Sequence, residues 1–271
     1  MDMHKRTGNV MGYQWRRNMH KVRAVMMAAG LGSRLYGKGE THPHKALLRF
    51  GGRSLLQRHV ETLYSLGVCD LSIVVGYHPE AVGQELVRLN ALDYVTMRYN
   101  PRFRRGSLLS LWTVRDVLRS GADILLMDAD VLYHRDLIRR LMDTPHGNCF
   151  LLDRNVESTE ETEEPVRLYL RNGQPVEFRK VVTTDVVYDT MGEWPGFLRL
   201  VAENAAMLAD RLEVFVTAGR LDDPYEEAIR DETLARPDAF GVEDITGLPW
   251  IEIDFPADVK RALCRILPQI A

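Results

Sequence analysis

The first half of the chain alternates short apolar runs with longer amphipathic segments. Apolar runs at residues 22–29, 71–75 and 124–127 are typical of parallel strands that are buried on both faces. Between these runs, apolar residues recur at helical spacing, and Pro or Gly residues mark several of the boundaries. The pattern predicts one further strand and three helices: Tyr94–Tyr99, Ser54–Ser65, Pro79 to about Asn90, and Ser107–Leu118. Such alternation predicts βαβ units and a mostly parallel sheet.

The pattern changes from Asn148 onward. Shorter alternating runs, separated by Glu-rich or Asn-Gly turns, indicate antiparallel strands at Cys149–Leu152, Val166–Leu170 and Val176–Val182. The Asn172-Gly173 pair between two of these runs is a strong hairpin signal. Three more helices are predicted at Phe197–Leu212, Tyr225–Leu234 and Pro256–Leu267. We therefore expect a doubly wound α/β fold with a mostly parallel sheet and a small antiparallel insertion.

Composition and charge narrow the class of protein. A hydrophobic content of 45% and a charged content of 27% are ordinary for a soluble globular chain of 271 residues. A net charge of −3 argues against a dominant nucleic-acid role, because such binding depends on clustered cations. The three cysteines are widely spaced and suggest neither a disulfide framework nor a zinc site, so a reducing cytoplasm fits best. No apolar stretch is long enough to span a bilayer.

A glycine-containing turn follows the first predicted strand, in the sequence Ala28-Ala29-Gly30-Leu31-Gly32-Ser33-Arg34-Leu35. We expect Gly30 and Gly32 to take positive φ and to let the backbone approach a ligand closely. Outward N–H groups would form an anion nest, and Arg34 and Lys45 would add cationic side chains. A dinucleotide fingerprint is excluded because Leu35 stands three residues after Gly32, and no P-loop occurs. The turn therefore indicates a nucleotide-phosphate site; the alternative is an ordinary turn with surface cations.

Acidic residues occur at two further points of the predicted sheet. Asp128-Ala129-Asp130 follows a buried strand directly, so it falls on the same sheet edge as the glycine turn. Glu252 and Asp254 are one residue apart on a predicted strand and so share one face. Carboxylates held together favour a cation between them, and Mg²⁺ combines a few carboxylates with phosphate oxygens. A turn cap and a solvated strand face are equally good explanations for these two groups when each is taken alone.

Several of these motifs together resemble the nucleotidyltransferases that make nucleotide-activated sugars and alcohols. The resemblance rests on the segments 28–35, 45–48, 51–56, 128–130 and 249–254. The last of them, Pro-Trp-Ile-Glu-Ile-Asp, resembles the branch of phosphocholine and inositol-phosphate cytidylyltransferases. One departure is present, because the family usually has Pro directly before the lysine, whereas here His44 separates Pro43 from Lys45.

The resemblance implies a Rossmann-like fold of the glycosyltransferase-A type and assigns roles to particular residues. Catalytic roles would fall to Arg34, Lys45 and Lys180, and magnesium would bind Asp130, Glu252 and Asp254. Nucleotide binding would involve Ala28, Ala29, Gly30, Gly32, Ser33, Arg34, Gly76 and Ser107. Acceptor binding would involve Lys180, Trp194, Tyr225 and Glu226, where an aromatic face beside a carboxylate suits a quaternary ammonium. The alternatives are an exposed strand lysine for Lys180, a packing residue for Trp194, and a helix start for Tyr225 and Glu226.

The implied domain organisation is a flexible leader over residues 1–20 and a single nucleotidyltransferase domain over residues 21–271. Its nucleotide-binding half would span about 21–147, and its acceptor-binding part about 148–271. The leader is polar and basic and has no apolar run, so we expect no secretory signal. The acidic run at 157–164 is expected to be a mobile loop.

The implied activity is Mg²⁺-dependent transfer of a cytidylyl group from CTP, or another NTP, to a phosphocholine-like phosphate monoester. The products would be a CDP-alcohol and pyrophosphate, with no nucleic-acid partner and no membrane insertion. One alternative is a sugar-1-phosphate nucleotidyltransferase that makes an NDP-sugar. A more remote one is a nucleotide-binding regulatory protein without turnover. The sequence leaves the acceptor and the oligomeric state open.

Overall fold

The computed structural model describes residues 22–37, 42–155, 165–180 and 186–270. The predicted leader and the acidic run 157–164 lie outside the described residues. Within the described ranges, no helix is both long and apolar enough to cross a membrane.

The chain forms fourteen strands and ten α-helices within the described ranges. The strands are β1 Val22–Ala28, β2 Arg49–Phe50, β3 Arg53–Ser54, β4 Leu71–Val75, β5 Val95–Tyr99, β6 Asp123–Asp128, β7 Val131–Tyr133, β8 Asn148–Leu152, β9 Arg167–Arg171, β10 Gln174–Arg179, β11 Thr190–Glu193, β12 Phe197–Leu200, β13 Phe240–Asp244 and β14 Trp250–Glu252. The helices are α1 Ser33–Tyr36, α2 Leu55–Ser65, α3 Pro79–Arg88, α4 Ser107–Thr113, α5 Arg115–Leu118, α6 Asp136–Asp143, α7 Ala202–Thr217, α8 Tyr225–Ala235, α9 Pro256–Arg261 and α10 Leu267–Ile270. A π-helical turn, Ala262–Ile266, joins the last two helices, and short 3₁₀ turns lie at Lys45–Leu47 and Pro237–Ala239.

A seven-stranded sheet with the strand order β13-β8-β12-β6-β1-β4-β5 forms the centre of the fold. All neighbours in it pair in parallel except β12, which runs antiparallel to both β6 and β8. The predicted doubly wound, mostly parallel sheet is therefore confirmed. Its strands come from both sides of residue 148, and we keep a single domain as our interpretation of the chain.

Alternate residues of β1 supply the two apolar layers that cover this sheet. Ala24, Met26 and Ala28 belong to one buried cluster, whereas Val25 and Ala29 belong to the other. Burial on both faces explains why this strand reads as a continuous apolar run. In the register of β1 with β6, Met27 lies opposite Asp128, so both strands end at the same sheet edge.

Two smaller sheets complete the architecture. Strands β9, β10 and β11 form an antiparallel sheet, and the predicted Asn172-Gly173 hairpin between β9 and β10 is confirmed, with φ values of 52° and 78°. Strand β14 pairs antiparallel with β7, which places Glu252 opposite Val131. Immediately beyond this pair, the Ile253 N–H donates to the Asp130 carbonyl at 3.0 Å. The chain near residue 254 is therefore fixed to the end of β6.

Three secondary-structure predictions need correction. The predicted helix Phe197–Leu212 is a strand, β12, followed by the helix α7. Three of the four residues of β12 are apolar and buried between β6 and β8, and apolar residues continue into α7, so the sequence pattern does not separate the two elements. The predicted helix Ser107–Leu118 is interrupted at Val114, where ψ is 20°. The strand predicted at Cys149–Leu152 lies in the central sheet rather than in the antiparallel insertion; it pairs antiparallel with β12, as predicted, and in parallel with β13.

Candidate active site

The glycine turn after β1 leads into the single-turn helix α1. Gly32 has φ +67°, and its carbonyl accepts the N–H groups of Leu35 and Tyr36 at 3.0 and 3.1 Å. The prediction of positive φ is therefore correct for Gly32 and wrong for Gly30, which is not among the residues with positive φ. Gly30 is exposed, and a Cβ built on it meets nothing within 4 Å, so its backbone is open to close approach.

Lys45 begins the 3₁₀ turn Lys45–Leu47, and its ammonium group joins two acidic residues. Its Nζ donates to Oδ2 of Asp130 at 2.7 Å and to Oδ1 of Asp254 at 2.5 Å. The Lys45 side chain is only 12% exposed. Burial alone would lower its pKa, but the charges of Asp130, Asp254 and Glu252 together raise it, so the lysine is a permanent cation.

Asp130, Glu252 and Asp254 come together although two of them follow long after the first in sequence. One carboxylate oxygen from each residue lies within 4.8 Å of the other two. The β7–β14 pairing and the Ile253–Asp130 hydrogen bond produce this arrangement. In addition, the Asp254 N–H donates to Oδ2 of the buried Asp258 at 2.9 Å, which fixes the turn before α9.

The charge balance of this group fits a divalent cation. Burial, followed by the charges of Asp130 and Asp254, raises the pKa of Glu252 well above its usual range. The pKa of Asp254 is lowered instead, because Lys45 and Arg34 outweigh its burial. Negative charge is thus in excess at Glu252 even with Lys45 in place. Three closely spaced carboxylate oxygens are the hard ligands that magnesium or a similar ion takes.

Beside this group lies an open cleft with a volume of about 440 Å³. Arg34 and Lys180 both line it, and Arg34 also contacts Oδ2 of Asp254 at 3.0 Å. Lys180 is exposed and lies just after the end of β10 rather than within the predicted strand. Its charge offsets part of the rise that burial gives to the pKa values of Glu226 and Glu252, and it contributes to the lowered pKa of Asp254. The three predicted catalytic cations therefore border one acidic region.

The other predicted nucleotide-binding residues are distributed around the turn. Ala28 and Ala29 are buried at the end of β1, and Ser33 is exposed at the start of α1. Gly76 directly follows β4 and lies beside Ala29; a Cβ on it would come within 2.9 Å of the Ala29 carbonyl oxygen. Ser107 is placed differently, since its hydroxyl accepts the Tyr225 N–H at 3.0 Å and so connects α4 with α8.

The predicted acceptor residues are brought to the cleft only in part. Trp194 and Glu226 line it, although Trp194 is 4% exposed and its Nε1 donates to the Phe197 carbonyl at 2.8 Å. Tyr225 is buried and is not among the lining residues. Its hydroxyl lies 2.9 and 2.8 Å from the two carboxylate oxygens of Asp128, to which it donates.

Sequence reasoning assigned no role to Asp128, and the structure shows what it contacts. Burial, followed by the charge of Asp130, raises its pKa well above the usual range, and Tyr225 supplies its hydrogen bond. Gly196, with φ +84°, lies against it so closely that a Cβ would come within 2.5 Å of Asp128 Oδ2. The position of Asp128 at the end of the buried strand β6 is the one sequence feature that could have indicated a role for it.

His44, the residue in place of the expected proline, is buried directly before Lys45. Its Nε2 lies 2.9 Å from the Ala28 carbonyl, and its Nδ1 accepts the Ala46 N–H at 3.1 Å. Burial is the main cause of its lowered pKa. Apart from the histidine in place of the family's proline, no sequence pattern predicted these contacts.

At the level of class, the fold is that of the nucleotidyltransferases. The chain belongs to the family of MobA-like NTP transferase domains, which matches residues 24–182. The resemblance and the enzyme class predicted from the motifs are thereby confirmed.

Two curated relatives and one solved structure illustrate the similarity. The chain is 30% identical over 263 residues to the CMP-5'-(3-aminopropyl)phosphonate synthase of Streptomyces rubellomurinus, covering 91% of this chain and 39% of that protein. It is 19% identical to the CTP:phosphoglutamine cytidylyltransferase of Campylobacter jejuni, covering 88% of this chain and 98% of that protein. The structure of the CTP:phosphocholine cytidylyltransferase of Streptococcus pneumoniae superposes with a TM-score of 0.68 at 21% identity, covering 89% and 97% of the two chains, and so shares the fold.

Proposed function

We propose that the protein transfers a cytidylyl group from CTP to a small, phosphocholine-like acceptor that carries a phosphate or phosphonate group. The observation that carries the proposal is the Lys45 ammonium held between Asp130 and Asp254, at the edge where the glycine turn opens. This arrangement places a permanent cation beside carboxylates that suit a metal, which is what charge neutralisation around a triphosphate requires.

The reaction needs little acid–base chemistry from the protein. An anionic oxygen of the acceptor phosphate forms a bond to the α-phosphorus of CTP, and the bond to the bridging oxygen of the β-phosphate breaks. Pyrophosphate leaves with that electron pair, and no proton has to be removed from the acceptor oxygen. The protein would therefore act mainly by positioning the two phosphates in line and by stabilising their charge.

The chain's own cations divide this work in the proposal. The backbone around Gly30 and Gly32, together with Arg34, would hold the triphosphate. Lys45 would lie against the α-phosphate, where negative charge increases during transfer. Lys180, which also lines the cleft, would receive the acceptor phosphate; its contribution to the pKa values of Glu252 and Asp254 supports its closeness to the proposed metal ligands.

Asp130, Glu252 and Asp254 would hold a divalent ion, for which we propose magnesium. When bound, Mg²⁺ would neutralise phosphate oxygens and act as a Lewis acid. The raised pKa of Glu252 supports this assignment, because a cation would offset the negative charge that burial makes unfavourable.

The charge of the cleft supports an acceptor with a cationic end. Seven acidic residues line it (Asp128, Asp153, Glu193, Glu226, Glu252, Asp254 and Asp258), against the four basic residues Arg34, Lys180, Arg261 and Arg265. The names of the three similar proteins each pair a phosphorus group with a nitrogen-bearing group: aminopropylphosphonate, phosphoglutamine and phosphocholine. The uncharged sugar of a sugar phosphate would gain no electrostatic attraction from these carboxylates. We further propose a reducing compartment such as the cytoplasm, in keeping with the free Cys69, Cys149 and Cys264.

The test is a pyrophosphate-release assay with Mg²⁺, in which each of the four NTPs is combined with each acceptor of a panel. The panel contains phosphocholine, 2-aminoethylphosphonate, 3-aminopropylphosphonate, inositol 1-phosphate and glucose 1-phosphate. We expect CTP with one of the nitrogen-bearing acceptors to give the highest kcat/KM, and EDTA to abolish the signal. A preference for glucose 1-phosphate would identify a sugar-nucleotide enzyme, and no pyrophosphate with any pair would contradict the proposal.

A further inference from the structure

We propose that His44 is a positioning residue for Lys45: its imidazole ties the turn that carries Lys45 to the Ala28 carbonyl at the end of β1. The inference rests on the proposed function for its kinetic consequence, whereas its structural content is independent of the substrate. Two hydrogen bonds from one buried ring carry it, at 2.9 Å to Ala28 and 3.1 Å from Ala46.

The partners of the ring determine which nitrogen carries the proton. The Ala46 N–H is a donor only, so Nδ1 accepts and has no hydrogen. The Ala28 carbonyl is an acceptor only, so Nε2 carries the hydrogen and donates it. Both bonds are satisfied at once by the neutral Nε2–H tautomer. Protonation at Nδ1 would place two N–H donors against each other and break the hydrogen bond from Ala46.

The two bonds connect the two segments that the site needs in register. Ala28 is the last residue of β1, directly before the glycine turn, and Ala46 lies in the 3₁₀ turn that starts with Lys45. Since Ala46 is 1% exposed, its backbone has little freedom to move once the bond is made. The ring therefore fixes the base of the Lys45 side chain relative to the glycine turn.

A shift of the Lys45 backbone would disturb the hydrogen bonds of its ammonium group, because both of these bonds are short. Lys45 must satisfy Asp130 and Asp254 together, at 2.7 and 2.5 Å. A lysine side chain has four flexible torsions, so its reach to both carboxylates depends on where its backbone is held. If the turn loses its connection to Ala28, we expect Lys45 to leave one of the two carboxylates.

Three variants separate the two bonds of the ring. His44→Asn keeps an acceptor for the Ala46 N–H, but its side chain is too short to reach the Ala28 carbonyl. His44→Gln has a longer side chain, which reaches towards Ala28. His44→Phe keeps a ring of similar volume and makes neither hydrogen bond. The matched control is His134→Phe. The Nδ1 of His134 likewise accepts the N–H two residues on, from Asp136 at 3.3 Å, but His134 precedes α6, which carries no proposed site residue.

In the transfer assay we expect His44→Phe to lower kcat by about 10–100-fold, the range typical of residues that orient a ligand-bearing group, while KM for CTP changes little. His44→Gln should recover more of the activity than His44→Asn, and His134→Phe should match the wild type. A wild-type kcat in His44→Phe would overturn the proposal, as would equal losses in the Gln and Asn variants.

A second measurement needs no turnover and so distinguishes failure of this inference from failure of the proposed function. Acylation of Lys45 by an amine-selective reagent, followed by peptide mass spectrometry, reports whether its ammonium group stays paired. We expect faster acylation in His44→Phe, by about tenfold for each unit by which the Lys45 pKa falls. ¹⁵N shifts of the His44 ring should show the Nε2–H tautomer. Unchanged acylation, or the opposite tautomer, would overturn the inference whether or not the protein transfers nucleotides.

Discussion

The Lys45 ammonium lies 2.5 Å from an Asp254 carboxylate oxygen although the two residues are 209 positions apart in sequence. The same ammonium reaches Asp130 at 2.7 Å. A single, largely buried cation therefore links the 3₁₀ turn Lys45–Leu47, the loop after β6 and the segment after β14. The ammonium charge offsets the repulsion between the two carboxylates, so substitutions at any of the three residues should have linked effects.

Asp254→Asn should lower kcat by about 100-fold or more while the protein stays folded. The amide keeps the shape of the side chain but removes the charge that pairs with Lys45 and Arg34 and that a metal would need. The measurement is kcat as a function of Mg²⁺ concentration. Asp210→Asn, which alters an exposed ion pair with Arg119, is the control and should leave kcat and its dependence on Mg²⁺ unchanged. Wild-type turnover in Asp254→Asn would remove Asp254 from the site.

Lys45→Met should destabilise the fold in the absence of divalent metal as well as reducing activity. Its removal leaves Asp130 and Asp254 with their like charges and no cation between them, at a cost of about 3 kcal/mol. Urea unfolding with EDTA and with excess Mg²⁺ checks this, and the metal should restore part of the lost free energy. Lys260→Met, at an exposed position of α9, provides the comparison. Equal stability of Lys45→Met and Lys260→Met in EDTA would argue against the pairing.

Gly32→Ala should lower the stability of the protein, whereas Gly30→Ala should affect the binding of CTP. Gly32 has φ +67°, so alanine there should cost about 1–2 kcal/mol of stability. Gly30 has no such strain and no atom near its would-be Cβ, so its alanine variant should be as stable as the wild type. If the backbone at Gly30 approaches the triphosphate, the added methyl group should raise KM for CTP. Thermal unfolding and steady-state kinetics of the pair test both statements, and an unchanged KM in Gly30→Ala would place the triphosphate elsewhere.

His59 should make the protein less stable as the pH falls from about 6.5 to 4. Burial lowers its pKa to about 4, and its ring lies 3.2 Å from the Ala129 carbonyl and 3.1 Å from the Tyr133 hydroxyl. In this window the unfolded chain binds a proton that the folded chain does not, so the free energy of unfolding decreases with decreasing pH. The full effect below pH 4 is about 3 kcal/mol.

His59→Gln isolates this effect, because the amide keeps a donor and an acceptor but does not titrate. The free energy of unfolding, measured by urea titration at several pH values, should fall less steeply in the variant than in the wild type. Parallel pH dependence in the two proteins would show that His59 is not the titrating group. Carboxylates shared by both proteins cancel in the comparison.

Periodicity located most of the central sheet because its strands are buried on both faces. Leu71–Val75 was predicted with the observed bounds, since an uninterrupted apolar run ended by Gly76 leaves few alternatives. For the same reason the prediction was wrong at Phe197–Leu200, where buried apolar residues, interrupted only by Arg199, lead into helix α7. In a strand with two buried neighbours, the alternation that separates strand from helix is lost.

The sequence predicts those site residues whose chemical type the reaction requires. It does not predict contacts that depend only on how distant elements pack against each other. Asp130, Glu252 and Asp254 were named from their positions, and the structure brings their oxygens together. By contrast, the buried bond between Tyr225 and Asp128 depends on how α8 packs against the end of β6. A pattern of spacings along one segment contains no information about that distance, so Tyr225 was expected at the cleft.

The pairing of β7 with β14 has a consequence for the time at which activity arises during synthesis. The glycine turn, Lys45 and Asp130 leave the ribosome long before Glu252 and Asp254, which complete the carboxylate group. Until β14 adds to β7, Lys45 has only one of its two acidic partners. A growing chain would thus be unable to consume nucleotide, and catalytic competence would appear in a single late step, as its last strand is placed.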